Sequence, residues 1–155
     1  MPMNVKPVPT LDERINDIRM RTAEIINDDI LPNERKLWRG RSNGATDVER
    51  KESRELRQHV KERVKQAGLW APHLPQEYGG MGLDFLAHAY MNEVLAYGVG
   101  AGALFGVVAP NSGNQTILVK YGTKEQKEKW LLPLIDGELE SGFSMTEPEN
   151  PGSDP

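Results

Sequence analysis

The sequence predicts an all-α fold for this chain of 155 residues. Apolar residues recur at spacings of three and four through most of the chain, which is the period of an amphipathic helix. Capping boxes mark three helix starts, and the alternation typical of a strand is convincing only at residues 141–146. The composition, 37% apolar and 27% charged, is that of a folded domain with a sizeable core.

The first predicted helix begins at a capping box formed by Thr10 and Glu13. Pro32 ends it, because proline has no amide hydrogen and clashes with the preceding turn. The polar segment 32–45 is predicted to be an exposed loop with a turn at Asn43-Gly44. The apolar stripe of this helix comprises Leu11, Ile15, Ile18, Thr22, Ile25 and Ile26.

The second predicted helix begins at a capping box of Thr46 and Glu49, and Gly68 is well placed as its left-handed C-terminal cap. Acidic and basic side chains are interleaved along its polar face, which indicates a solvated surface rather than a basic binding patch. Its apolar stripe comprises Leu56, Val60, Val64 and Ala67.

A loop rich in proline and glycine follows at residues 69–83, and Asp84 caps a third helix that reaches Tyr97. A glycine- and alanine-rich helix is predicted over residues 99–119, where small side chains would let another helix or a ligand approach closely. The run Asn111-Ser112-Gly113 leaves open whether this segment is one helix or two.

The last predicted helix begins at a capping box of Thr123 and Gln126 and ends at Gly137. Pro133 is expected to kink this helix or to end it early. Its apolar face comprises Trp130, Leu131, Leu134 and Ile135.

Composition excludes several classes of function. The chain has no cysteine, which removes disulfides, thiol nucleophiles and thiolate metal sites. Its histidines, His59, His73 and His88, lack metal-ligand spacing, and a net charge of −4 gives no sign of a nucleic-acid surface. Residues 1–9 show no apolar signal core and no Arg-rich stretch, so we expect a cytoplasmic location. The apolar stretch 94–108 is too short and too rich in glycine for a membrane span.

The C-terminal run combines two tight turns, Thr146-Glu147-Pro148 and Gly152-Ser153-Asp154, after the predicted strand. Its hydroxyls and backbone N–H groups could hold a polar ring edge or a phosphate. On chemistry alone, a plain surface loop is the more common meaning of such a run.

Three motifs, in this order and at this spacing, resemble those of the acyl-CoA dehydrogenase family. They are Leu74-Pro75-Gln76-Glu77-Tyr78-Gly79-Gly80-Met81-Gly82, Tyr121-Gly122-Thr123-Lys124-Glu125-Gln126-Lys127, and the Thr-Glu-Pro to Gly-Ser-Asp run between Phe143 and Asp154. The resemblance implies that family's N-terminal helical domain over residues 1–140 and the start of its middle β domain over residues 141–155. In one departure, three residues (Glu149, Asn150 and Pro151) separate Thr-Glu-Pro from Gly-Ser-Asp, where many members have two.

The resemblance also implies a chemistry. Members bind FAD and oxidise the Cα–Cβ bond of an acyl-CoA thioester to the enoyl-CoA. A carboxylate base removes the α-proton while the β-hydrogen leaves as hydride to flavin N5, and that base would lie outside this chain. The residues placed against flavin would be Phe143, Met145, Thr146, Gly152 and Ser153, with Ser153 also near the substrate's pantetheine arm.

The same resemblance implies an electron-transfer flavoprotein as partner and a homo-oligomer in the full-length protein. Two alternatives stay open: a non-catalytic helical binding or scaffold module, and another flavin enzyme of the superfamily such as an acyl-CoA oxidase. Alone, the chain is expected to expose apolar surface near residues 99–108, and therefore to self-associate or to be marginally stable.

Overall fold

In a computed structural model, residues 2–149 are described, and all their regular secondary structure is helical. The all-α prediction is therefore confirmed. The chain divides into two compact units, Met1–Val107 and Val108–Pro155. The predicted boundary at residue 140, between a helical domain and the start of a β domain, does not correspond to the division after Val107. That boundary stays a prediction.

The first unit begins with α1 (Glu13–Ile25), which continues through a π-turn (Ile26–Ile30) and a 3-10 turn (Leu31–Asn33) into α2 (Glu34–Arg39). It goes on with α3 (Asp47–Gln66), a 3-10 turn (Gln76–Tyr78), α4 (Phe85–Leu95) and the short α5 (Ala101–Leu104). The second unit holds α6 (Asn111–Tyr121), α7 (Lys124–Gln126), a π-turn (Lys127–Leu131) and α8 (Leu132–Asp136).

The core of the first unit forms where α1 packs on α4 and α2 packs on α3. Burying each large apolar side chain there contributes about 1.5–3 kcal/mol, which is the main force that joins these helices. The stripes predicted for α1 and α3 point inward as expected, whereas Trp130, predicted for the apolar face of the last helix, is 48% exposed. The fully buried members of these two stripes and their partners include Ile26, Ile30, Leu37, Val60, Val64 and Met91.

The caps of α3 are as predicted. Thr46 Oγ1 accepts from the Glu49 N–H at 3.2 Å, and Glu49 Oε2 accepts from the Thr46 N–H at 2.8 Å. The Thr46 backbone bond, helped by the Arg39 guanidinium at 2.9 Å, lowers the pKa of Glu49 to about 2. At the other end Gly68 has φ 67° and donates to the Lys65 carbonyl, as a left-handed cap does.

The start and end predicted for the first helix are wrong. Asp12, not Thr10, is the N-cap, and its side chain accepts from the Arg14 N–H at 2.8 Å. Pro32 does not end the helical path, because π- and 3-10 turns place it in a first turn, where its missing amide hydrogen is not needed. The predicted loop is therefore helical over Glu34–Arg39.

The glycine- and alanine-rich segment is also broken, since α5 ends at Leu104 and a new helix begins at Asn111. At the break Gly106 takes φ 77° and lies against the Trp70 ring, where an added Cβ would come within 3.1 Å. In the later helix a π-turn over Lys127–Leu131 precedes Pro133. The caps predicted at Asp84, Thr123 with Gln126, and Gly137 are confirmed.

The strand predicted over residues 141–146 is absent from the described structure, where this stretch has no regular secondary structure. A strand is stable only when a neighbouring strand takes up its backbone hydrogen bonds, and none is present in residues 2–149. Among these residues, no helix is long and apolar enough to cross a membrane.

The Tyr-Gly-Gly element folds back on its own preceding residues. Gly82 donates to the Leu74 carbonyl at 2.8 Å, and Leu83 donates to the Pro72 carbonyl at 3.0 Å. Gly80 packs so closely on Leu74 that an added Cβ would come within 2.6 Å of the Leu74 carbonyl carbon. These glycines therefore serve the local backbone path, with Gly79 also at φ 79°.

Candidate functional site

The segment that carries the predicted flavin contacts begins directly after α8. Gly137 takes φ 79° and closes the helix, because glycine tolerates the left-handed conformation. The next two N–H groups, of Glu138 and Leu139, donate to the Pro133 carbonyl at 3.0 and 3.3 Å. This cap fixes the direction in which the chain leaves the helix.

A polar cluster then holds the chain at Ser141. Asn111 Oδ1 accepts two hydrogen bonds from Ser141, one from its backbone N–H at 2.9 Å and one from its hydroxyl at 2.8 Å. Asn114 Nδ2 donates to the same hydroxyl at 2.9 Å. Since the two asparagines lie three positions apart at the start of α6, they share one face of that helix.

Gln115 supports the same end of α6 from within the core. Its side chain is only 3% exposed, and its Nε2 donates to the Leu134 carbonyl of α8 at 3.1 Å. A buried amide without a partner would cost about 1–3 kcal/mol, so this bond ties α6 to α8 at a defined position. The relative positions of α6, α8 and Ser141 are thus set by side-chain amides.

Beyond Ser141 the chain lies at the surface. Phe143 and Met145 expose 61% and 60% of their area, and Thr146 is exposed as well. The Phe143 ring lies over Gly113, where its Cζ would be 3.8 Å from an added Cβ. These three predicted flavin contacts therefore lie on one accessible stretch, whereas the predicted Gly152 and Ser153 lie outside the described residues.

This stretch places a hydroxyl and two apolar side chains at the surface. An exposed hydroxyl at Thr146 can donate a hydrogen bond, and the apolar side chains of Phe143 and Met145 can pack on a ring system. Residues 2–149 contain no group of three or more His, Asp or Glu side chains that could hold a metal ion.

The sequence did not point to Asn111, Asn114 or Gln115 as parts of the site. A signal was present, because two asparagines and a glutamine occupy one face at the start of a helix whose later residues 117–119 are apolar. Their partner Ser141 lies 30 positions from Asn111 along the chain, so the pairing becomes visible only in the fold.

A second polar pair lies elsewhere, where the rings of His73 and His88 stack with centroids 6.2 Å apart. Burial lowers the pKa of His88, which favours its neutral form. Both imidazoles lie in the first unit and are partly buried there.

The structure is therefore that of a helical domain followed by an exposed segment that is anchored at Ser141. The family model for the acyl-CoA dehydrogenase N-terminal domain matches residues 13–138. The chain belongs to the acyl-CoA dehydrogenase family and contains its N-terminal domain.

Similar proteins carry the same family name. The chain is 34% identical over 149 residues to acyl-CoA dehydrogenase family member 10 of Mus musculus, covering 93% of this chain and 14% of that protein. It is 30% identical over 138 residues to family member 11 of Homo sapiens, covering 89% of this chain and 17% of that protein. A solved structure from Mycobacterium abscessus, assigned as an acyl-CoA dehydrogenase, aligns with a TM-score of 0.76 at 32% identity, over 92% of this chain and 36% of that one.

Proposed function

We propose that this chain forms the front of an FAD-dependent acyl-CoA dehydrogenase, which oxidises the Cα–Cβ bond of an acyl-CoA thioester. The family match supports the reaction class, and the Ser141 anchor with the exposed residues after it supports the role of this chain. Because the chain spans 14% and 17% of the relatives from mouse and human, the complete activity requires sequence that these relatives have in addition.

The bound FAD would supply the hydride acceptor. Within this proposal, Thr146 donates its hydroxyl hydrogen bond to the ring edge, and Phe143 and Met145 cover the ring and exclude water from it. A donor fixed at the ring edge stabilises the electron density that develops there during reduction. The catalytic base lies outside this chain, and Gly152 and Ser153 complete the flavin and pantetheine contacts.

The polar cluster supplies the positioning. Asn111 holds both the N–H and the hydroxyl of Ser141, so the chain enters the flavin-facing stretch from one fixed point. Thr146 follows five positions later, so the anchor limits the range of positions that its hydroxyl can reach. An acyl-CoA substrate, an electron-transfer flavoprotein and a homo-oligomeric assembly are parts of the same proposal.

The proposal is tested in the longer polypeptide that contains this chain, by replacing Thr146 with valine. Loss of one hydrogen bond to a charged ring costs about 1.5–3 kcal/mol, which slows flavin reduction about tenfold to a hundredfold. Anaerobic bleaching of the flavin absorbance by octanoyl- or butyryl-CoA measures that rate. The matched control is Ser144→Ala on the same exposed stretch, and the flavin of this variant should be reduced at the wild-type rate.

Equal rates for the Thr146→Val and wild-type proteins would refute the role given to Thr146. A longer polypeptide that binds no FAD would refute the flavoenzyme proposal itself and would favour the helical binding module. FAD binding with rapid reoxidation by dioxygen would instead favour an acyl-CoA oxidase.

A further inference from the structure

An N-terminal arm, residues 3–8, lies along α1 and is held there by side chains that reach its backbone. Asn27 Oδ1 accepts from the Met3 N–H at 2.7 Å, and Asn27 Nδ2 donates to the Met3 carbonyl at 2.9 Å. Asn16 repeats this pattern at Val8, accepting from its N–H at 2.8 Å and donating to its carbonyl at 3.0 Å. Two carboxamides therefore bind two backbone units as a neighbouring β-strand would.

Arg19 binds the arm between these two points. Its guanidinium donates to the Lys6 carbonyl at 3.1 Å, and its side chain is only 8% exposed. Glu93 of α4 lies 3.7 Å away and compensates part of its charge. A buried guanidinium that loses its carbonyl acceptor is costly, so this surface is more stable when an extended chain covers it.

The arm itself is suited to an extended conformation. Pro2, Pro7 and Pro9 fix φ near the polyproline value and remove N–H groups that an extended chain would otherwise have to satisfy. Side chains alternate in burial, since Met3 and Val5 are half-buried whereas Asn4 and Lys6 are exposed. The hydrogen bonds to the arm thus involve its backbone donors and acceptors, while Asn4 and Lys6 point their side chains towards solvent.

We propose that α1 and the π-turn that follows it carry a peptide-binding groove that recognises extended backbone, and that the arm occupies this groove as a detachable strap. The groove is formed by Asn16, Arg19 and Asn27. When the arm is detached, the groove can bind an extended, proline-containing segment of a second polypeptide. That segment would offer backbone N–H and C=O groups at the spacing of Met3 and Val8. The Nε of Arg19 is buried with no hydrogen-bond partner among residues 2–149, so a segment that brings one more acceptor there binds more tightly than the arm.

Replacement of the arm by a second segment is feasible at one place in the chain. The arm joins α1 through a turn in which the Leu11 N–H donates to the Val8 carbonyl at 3.0 Å, and both Pro9 and Thr10 are exposed there. A covalently joined arm competes at a high effective concentration, which hides the intrinsic affinity of the groove. Cutting the chain at this turn removes that advantage while every residue remains present.

The experiment uses the whole chain with a protease-cleavable insertion between Pro9 and Thr10. After cleavage, a fluorescent peptide with the sequence of residues 2–9 is titrated, and its anisotropy reports binding. We expect saturable binding of the unmodified peptide. Methylation of the Met3 nitrogen should weaken this binding about tenfold, and methylation of the Val8 nitrogen should do the same, because each modified peptide loses one hydrogen bond. Methylation at Asn4, whose amide donates to neither carboxamide, is the matched control and should change binding little.

Protein variants test the groove side in the same assay. Asn27→Ala should weaken binding of the unmodified peptide and abolish the effect of methylation at Met3. Asn92→Ala, a change at an exposed position of α4, should alter neither the binding nor the methylation effect. In the uncut chain, Asn27→Ala should also speed hydrogen exchange at the Met3 amide. The proposal is overturned if the cut protein shows no saturable binding, or if methylation at Met3, Val8 and Asn4 has equal effects.

Discussion

Replacing Gly80 with alanine should strongly destabilise the Tyr-Gly-Gly element, although only one methyl group is added. The new Cβ would lie 2.6 Å from both the carbonyl carbon and the Cβ of Leu74, and still closer to the carbonyl oxygen. Carbon atoms in contact prefer about 3.5–4.0 Å, so the backbone must move by about 1 Å. Gly80 does not have a positive φ, so the clash alone determines the loss.

The magnitude follows from what holds Leu74 in place. Leu74 is 1% exposed, its N–H donates to the Ala71 carbonyl at 3.0 Å, and its carbonyl accepts from Gly82 at 2.8 Å. Overpacking costs about 1–3 kcal/mol, and losing the Gly82 bond adds about 1 kcal/mol, so we expect about 3 kcal/mol.

Urea unfolding followed by far-UV circular dichroism measures this loss, which should lower the midpoint by at least about 1 M. The control is Gly44→Ala, because an added Cβ at Gly44 meets nothing within 4 Å, and its midpoint should stay near that of the wild type. Equal midpoints for the two variants would refute the steric reasoning.

Three further predictions concern titration and the Ser141 anchor. The lowered pKa of Glu49 stabilises the fold at pH values above 4.5, the pKa of this group in the unfolded state, and this stability is lost as pH falls towards about 2. In a plot of the urea midpoint against pH, Glu49→Gln should therefore flatten the acid side, and Glu52→Gln on the same helix should not. Burial lowers the pKa of His88 below 6.5, so the unfolded state takes up its proton first and stability falls as pH drops below 6.5. His88→Gln should remove the fall in the urea midpoint below pH 6.5. The same fall in the His88→Gln and His59→Gln proteins would contradict this prediction. Asn111→Ala should speed hydrogen exchange at the Ser141 amide about fivefold, since it loses a bond worth about 1 kcal/mol, whereas Asn92→Ala should leave that amide unchanged.

The sequence predicted those elements whose signals are local. The capping boxes at Thr46 and Thr123 satisfy backbone donors within three residues, so they need no tertiary context. Gly68 and Gly137 likewise close helices through their own backbone freedom. Apolar residues at spacings of three and four predicted the inward faces of α1 and α3, because burial of apolar area outweighs propensity over such lengths.

Errors arose where tertiary packing changed a local signal. Pro32 ordinarily ends a helix, but Ile30 is fully buried beside it, and the chain changes to π- and 3-10 turns that keep the helical path. The strand predicted at residues 141–146 depends on a neighbouring strand, which the described residues do not include. A periodic pattern carries no information on whether that neighbour is present.

The candidate site was only partly predictable for the same reason. The signature residues Phe143, Met145 and Thr146 were found through resemblance, whereas the asparagine that holds the stretch in place lies 30 positions from its partner. The N-terminal arm was unforeseen too, because Asn27 and Met3 are 24 positions apart and their pairing uses backbone groups that every residue has. Contacts of this kind leave no pattern in a single sequence.

The decisive measurement is a flavin titration of this chain and of the longer polypeptide that contains it, followed by absorbance and fluorescence. We predict that the longer polypeptide binds FAD and that octanoyl- or butyryl-CoA bleaches the bound flavin, while this chain alone does neither. Failure of the longer polypeptide to bind FAD would contradict the proposed function and would leave a helical domain that keeps the family's signature without its chemistry.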